Sequence, residues 1–407
     1  MRLMNYPVCL AAATPSHSEG ELTNFFMFEF FDYEVLRIIW WILLGVLLIG
    51  FAIMDGFDLG VAILLPFVAK TDIERRVVLN TVGPVWDGNQ VWFILGGGAI
   101  FAAWPYVYAV SFSGFYFAML LVLLALILRP VGFDYRSKLQ NKIWRKVWDC
   151  CLFISGFVPS LVFGVAIGNV LQGVPFSFNE YMVIENKITF FGLFTPFSLF
   201  CGVMSVVMIT VHGACFLAIK TEGLIQKRVL KLLQIFPIMI LVLFALGGLF
   251  IGSIASYKII NFAGTLAESN PLQKEVVKEV GNWNANYGKH SWMLIAPICG
   301  FVGQLFLLFF VMIKHYGKAF IASAISIFGI ISTVGLTLFP FILPSSLNPS
   351  ASLTIWDASS SYFTLVVMLI AALIFVPTII IYTSWVFSVL RGKVTEKTIE
   401  KDSKFLY

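Results

Sequence analysis

Asp55 and Asp58 stand at i,i+3 in the stretch Asp55-Gly56-Phe57-Asp58, inside an apolar run that begins near Val35. Residues three apart share a helix face, so the two carboxylates point the same way. A third acid, Asp87, lies in Trp86-Asp87-Gly88-Asn89-Gln90-Val91-Trp92, with Pro84 three residues before it. Carboxylic acids are costly in hydrocarbon, and an acid inside a span is by default a functional candidate. Asp87 falls about ten residues into its apolar run, roughly 15 Å by helical rise. An acid at that depth can exchange protons with a file of water, and Pro84 frees a backbone carbonyl beside it. The candidate proton-transfer residues are therefore Asp87, Asp58, Asp55, Gln90 and Asn89. The same groups also suit a second role, as neutral hydrogen-bonded clamps between helices. No Lys or Arg stands out within a span as a partner, so protonatable acids are expected rather than buried ion pairs.

Other reactive side chains are sparse. Of the four histidines, His17, His290 and His315 lie outside or beside the apolar runs, and His212 alone lies well inside one. A bis-histidine haem needs two buried imidazoles, so this chain does not read as a cytochrome by itself. The expectation for His212 is a hydrogen bond to a neighbouring helix. The six cysteines, Cys9, Cys150, Cys151, Cys201, Cys215 and Cys299, form no CxxC pair, and no metal site is expected. Walker A and HExxH patterns are absent, against an ATP motor or a zincin. Trp86 and Trp92 are candidates for a subunit interface or for quinone or oxygen access, or belong simply to packing. Gly96-Gly97-Gly98, within an apolar run, reads as a close-packing helix face.

The elements that must position these acids are membrane helices. The chain has 407 residues, of which 59% are hydrophobic and 12% charged, with a mean hydropathy of +0.91. A soluble domain carries about 25% charged residues. Soluble enzymes, disordered scaffolds and nucleic-acid-binding modules are excluded. Nine runs are long enough to cross a bilayer, which takes about 20 residues: 35–67, 77–103, 106–128, 147–172, 190–218, 232–256, 292–313, 319–343 and 362–390. With the N-terminus outside, 20 of the 27 Lys and Arg fall on the inner side, Arg129 among them, and seven, including Arg37, on the outer. That asymmetry sets the orientation and puts the C-terminus in the cytoplasm. The longest segment between spans is 257–291, where acids and bases at helical spacing predict a short amphipathic helix over Pro271–Val280. Residues 1–27 are expected to be an N-terminal tail, disordered or an outcome of start-site choice, with the membrane domain over 28–390 and a cytoplasmic tail over 391–407.

Several stretches are familiar in order along the chain. Phe31-Asp32-Tyr33-Glu34-Val35-Leu36-Arg37, Asp55 through Gly60, Thr81 through Trp92, Phe101 through Pro105, Arg129-Pro130-Val131-Gly132-Phe133-Asp134-Tyr135-Arg136, Asn169 through Pro175, Ser269 through Leu272 and Ser352 through Ser360 resemble subunit II of the cytochrome bd quinol oxidase family. The resemblance runs from about residue 28 to Tyr407. It implies an all-α polytopic fold of two four-helix bundles plus a peripheral helix. It implies a partner, subunit I, that holds two b-type haems, one d-type haem and the quinol-oxidising site. A small accessory subunit, a structural quinone within this chain and residence in the bacterial cytoplasmic (inner) membrane are implied for some or all members. By the same resemblance Asp87 matches an acid of the proton path, with Asp58 and Asp55 beneath it. The complex would reduce oxygen to water with quinol electrons and generate a proton-motive force. From composition alone the competing reading is a proton-coupled secondary transporter, which would also use buried acids and glycine-broken helices.

Overall fold

The computed structural model describes residues 31–396 and Ile399. The expected N-terminal tail, and most of the expected C-terminal one, lie outside the described residues. The first half of the chain forms α1 (Tyr33–Val68), α2 (Asp72–Val82), α3 (Trp86–Ala103), α4 (Pro105–Gly114), α5 (Tyr116–Arg136) and α6 (Lys142–Gln172), then the strand pair β1 (Phe176–Phe178) and β2 (Ile184–Asn186). The second half continues with α7 (Pro196–Lys220), α8 (Gly223–Ile251), the strands β3 (Ala255–Phe262) and β4 (Lys274–Val280), the short α9 (Ala285–Lys289), α10 (Ile295–Met312), α11 (Tyr316–Leu338), the strands β5 (Phe341–Leu343) and β6 (Leu353–Thr354), and α12 (Tyr362–Val389).

Eight helices among the described residues are long and apolar enough to cross a membrane: α1, α5, α6, α7, α8, α10 with the turn before it, α11 and α12. The run read as a second span, 77–103, is two helices. Pro84 cannot donate to the helical ladder, and the chain turns through Gly83-Pro84-Val85 between α2 and α3. The third is also divided, at Phe115, and its second part extends well beyond 128, because Pro130 sits inside α5 without ending it.

Helix α1 is the hub. It packs on α3, α6 and α7, while α5 packs on α6 and α7 on α8; α10 and α11 pair with each other and rest on α8 and α7. Helix α12 packs chiefly on α1 and α3. Close approach explains the hub. A Cβ on Gly60 of α1 would lie 2.2 Å from the Ile209 carbonyl oxygen and 3.0 Å from the Cα of Gly213, both on α7, so only glycine lets these backbones meet. The run Gly96-Gly97-Gly98 does not behave as expected: a Cβ on Gly97 or Gly98 would meet no atom within 4 Å.

The segment read as an amphipathic helix over Pro271–Val280 is instead strand β4, antiparallel to β3 with Ala255 opposite Val280 and Phe262 opposite Lys274. Helical spacing of its charges lost to the adjacent β-branched Val276 and Val277 and to pairing with the preceding strand. Its Lys274 ammonium lies 3.0 Å from Asp357; burial pulls the Lys274 pKa below its ordinary value against the opposing pull of Asp357. Arg37, counted among the outer loop charges, is buried. It donates to Ser359 Oγ at 2.7 Å and to the carbonyls of Thr265 and Ala267 at 2.7 and 2.9 Å, fastening the outer loops to α1.

Candidate functional site

The inner half of α1 presents Asp55 and Asp58 to the space between α1, α3 and α5. Both acids are buried. Arg129 of α5 reaches Asp55 with both terminal nitrogens, NH1 to Oδ1 at 2.5 Å and NH2 to Oδ2 at 3.2 Å. This overturns the expectation that the acids have no cationic partner. Arg129 looked like a loop residue because it ends an uninterrupted apolar run, but α5 continues to Arg136, so the guanidinium starts about two turns inside the helix. The apolar Val131 and Phe133 beyond it were the available hint.

Asp58, one turn along α1, makes no ion pair among the described residues. Its Oδ2 accepts from Asn89 Nδ2 of α3 at 2.8 Å, while Oδ1 is buried without a hydrogen-bond partner. Asn89 is itself buried. The amide thus holds one carboxyl oxygen in place and leaves the other free.

Asp87 faces the other way. It lies in the first turn of α3, two residues from Asn89 and therefore about 200° around the helix. It is exposed and lines a cavity of about 790 Å³ together with Trp86, Gln90, Pro84 and Asp134. Apolar side chains of α3 and α5, among them Phe93, Leu126 and Ile127, make the remaining walls. Asp134 belongs to the last turn of α5, so the cavity extends to that end of the helix. The five expected proton-transfer residues therefore divide into an inner set, Asp55, Asp58 and Asn89, and a cavity set, Asp87 and Gln90. Asp134 joins the second set and was not singled out from the sequence.

The two tryptophans also separate. Trp86 lines the cavity and stacks on Phe133 at 5.7 Å. Trp92 is buried against Gly50 of α1, where it packs α3 onto the hub. His212 uses both ring nitrogens within the protein, Nδ1 with Ser323 Oγ at 3.0 Å and Nε2 with the Ile53 carbonyl at 2.9 Å. Its ring stacks on Phe320 at 4.5 Å. It ties α7 to α1 and α11, as the hydrogen-bonded reading expected.

A second group of charges gathers where α2, α5 and α6 meet. Asp149 of α6 accepts from Arg136 Nε at 2.6 Å and from Arg75. Asp72 accepts from Arg136 at 3.0 Å and Arg145 at 2.7 Å. Nearby, Glu74 closes a capping box with Thr71 at the start of α2 and accepts from Arg228 at 2.8 Å. Burial alone would raise the Glu74 pKa, but hydrogen bonds from Arg228 and from the backbone N–H groups of Lys70 and Thr71 hold it below the ordinary carboxylate value.

A family model described as cytochrome bd terminal oxidase subunit II matches residues 36–390. The chain belongs to that family. A probable cytochrome oxidase subunit 2 of Haemophilus influenzae is 48% identical over 376 residues, covering 92% of this chain and 100% of the relative. The cytochrome bd-I ubiquinol oxidase subunit 2 of Escherichia coli K12 is 48% identical over 377 residues, with the same coverage. A cytochrome bd ubiquinol oxidase subunit 2 of Bacillus subtilis is 32% identical over 364 residues, covering 89% of this chain and 98% of the relative. Among solved structures, a chain of the bd oxidase from Geobacillus thermodenitrificans aligns with a TM-score of 0.60 at 16% identity, covering 88% of this chain and all of that one. That likeness concerns the fold.

Membership turns the reading away from a transporter and makes the chain one subunit of an oxidoreductase, with subunit I as its implied partner. The family implies haem in the complex, so the donor set here bears on where it is held. His212 has no nitrogen to spare, and no group of three or more His, Cys, Asp or Glu suited to a metal occurs among the described residues. His212, the one histidine well inside a span, is therefore not free to ligate a haem iron.

Proposed function

We propose that this chain serves the membrane quinol oxidase as its second subunit by holding the haem-bearing subunit I in place and bringing protons to it from the cytoplasm. In this reading two b-type haems and one d-type haem belong to subunit I, in accord with the engaged nitrogens of His212. The eight apolar helices, with α3 as a ninth crossing, are read as two four-helix groups and peripheral α12. The N-terminus is outside and the complex sits in the bacterial inner membrane, as the asymmetry of Lys and Arg supports. Oxygen reduction to water consumes protons, and quinol oxidation releases them. If the two occur on opposite sides, a proton-motive force results without a pump.

The observation that carries the proton role is Asp58: a buried acid in no ion pair among the described residues, one oxygen fixed by Asn89 and the other free. Such a group can take a proton on Oδ1 and give it up without breaking an ion pair. Asp55 cannot do so as easily, because Arg129 binds both its oxygens. Asp87 and Gln90 in the cavity would collect protons from water and pass them through a water file toward Asp58. The cavity also has the size of a ligand site, and Trp86 and Gln90 could meet a quinone ring. We assign it to water and protons because two carboxylates, Asp87 and Asp134, line it. A small accessory subunit would sit elsewhere on the complex.

The test is Asp87→Asn in the whole complex, purified in mild detergent with its haem content read from the reduced-minus-oxidised spectrum. The expected result is normal haem content and quinol-driven oxygen consumption slowed at least tenfold, with Asp87→Glu partly active. Near-normal turnover in an assembled Asp87→Asn complex would remove Asp87 from the path. A nearly active Asn complex, beside loss of assembly and haem together in Asp87→Ala and Asp87→Glu, would favour the clamp.

A further inference from the structure

Helix α6 has 31 residues, about 46 Å of helix against a hydrocarbon core of about 30 Å. Lys142, Arg145, Lys146 and Asp149 all fall in its first two turns, so the excess length is assigned to this end, at the membrane boundary. At about 100° per residue those turns present four stripes. Arg145 and Asp149 face inward and are spent on ion pairs with Asp72, Arg75 and Arg136. Ile143 and Val147 face outward, 74% and 52% exposed. Lys142 and Lys146 flank them on one side, both exposed and with no acid paired to either among the described residues. Trp144 and Trp148 flank them on the other, in edge contact at 5.7 Å. The indole N–H of Trp144 donates to the Tyr135 carbonyl at 2.9 Å.

Each stripe suits one layer of a lipid. Exposed Ile143 and Val147 gain from hydrocarbon, tryptophans favour the headgroup boundary, and unpaired lysines meet phosphate. A soluble acidic protein would satisfy the lysines and leave the isoleucine and valine against water or a poorly matched surface. The division of labour among cations points the same way. The arginines of this corner are turned inward to carboxylates, and the lysines, compact and strongly hydrated charges, are left outward.

We propose that the first two turns of α6 bind the headgroup of an anionic phospholipid, with Lys142 and Lys146 on its phosphate and Ile143 and Val147 on its upper acyl chains. The lipid would hold the α5–α6 corner at a fixed depth, beside the charge cluster that joins α2, α5 and α6. The site is distinct from the cavity at Asp87.

The test takes the assembled oxidase from nanodiscs containing equal phosphatidylglycerol and phosphatidylcholine and counts retained lipids by native mass spectrometry. The unaltered complex should retain phosphatidylglycerol preferentially. The Lys142→Gln/Lys146→Gln pair should lose that preference at this site, weakening by roughly fivefold per lysine at low salt. The Lys142→Arg/Lys146→Arg pair should keep it, and haem content should be equal in all three. Unchanged phosphatidylglycerol retention in the glutamine pair, or equal loss of both lipids, would overturn the proposal. Loss of a polypeptide with the lysines would also overturn it and make the face a protein interface.

Discussion

Helix α5 carries two buried arginines, and each meets carboxylates of neighbouring helices in a different balance of charge. At Arg136 the balance favours cations: Asp72 and Asp149 share Arg75, Arg136 and Arg145. At Arg129 it favours acids: Asp55 and Asp58 stand together and the guanidinium binds only Asp55. The first arrangement has redundant partners, so losing any one leaves each acid compensated. That is the pattern of a clamp at helix ends. The second has no redundancy and leaves one acid with an unused oxygen, which is the pattern of a group whose charge is meant to change. In the proposed reading, two clusters built from the same residue types on one helix divide between stability and proton traffic.

The largest expected effect falls on the non-redundant pair. Arg129→Gln leaves a buried carboxylate without its cation, a loss of about 3–5 kcal/mol, and should abolish accumulation of the assembled, haem-containing complex. Asp55→Asn combined with Arg129→Gln should restore much of it, since the uncompensated charge is gone. A single Arg129→Gln complex recovered in normal yield would end the contrast.

A smaller effect is expected at the redundant cluster. Arg75→Gln removes one of two donors to Asp149 and should lower the thermal stability of the complex by about 1–2 kcal/mol without changing turnover per haem. A slowed turnover at normal haem content would draw this cluster into the proton path.

The smallest effect is at Glu74, where the pH dependence has a defined sign. Its folded-state pKa lies below the ordinary value, so its contribution is complete above the unfolded carboxylate pKa of about 4.3. It is lost as pH falls through the lowered folded value. Glu74→Gln should therefore cost about 1 kcal/mol at neutral pH, and the difference from the unaltered protein should vanish in acid. A difference that persists or grows at low pH would contradict the assigned ionisation.

The membrane character and the burial of Asp55 and Asp58 were legible in the sequence. The depth read for Asp87 was not, since the turn at Pro84 restarts the helix and leaves Asp87 exposed in the first turn of α3. Local breaks were partly legible: Pro84 was noted for its carbonyl, yet its full effect was to separate α2 from α3. Partners distant in sequence were not legible. Arg129 and Asp55 are 74 positions apart, and hydropathy marks an arginine as the end of a span whether it leaves the membrane or turns inward. The strand at Lys274–Val280 escaped for a different reason: its charges fit a helical spacing, and only its pairing with the preceding strand Ala255–Phe262 decides against a helix. The opposite orientations of Asp87 and Asn89 follow from helix periodicity, but which one faces α1 depends on how α3 leans on it.

The most direct measurement is proton uptake by the assembled complex carrying Asp58→Asn, followed during oxidation of the reduced enzyme by oxygen. Asparagine preserves the shape beside Asn89 and cannot carry the proton on Oδ1. The account predicts full haem content with proton uptake and steady-state turnover slowed at least tenfold. Uptake and turnover at the unaltered rate in that complex would contradict it.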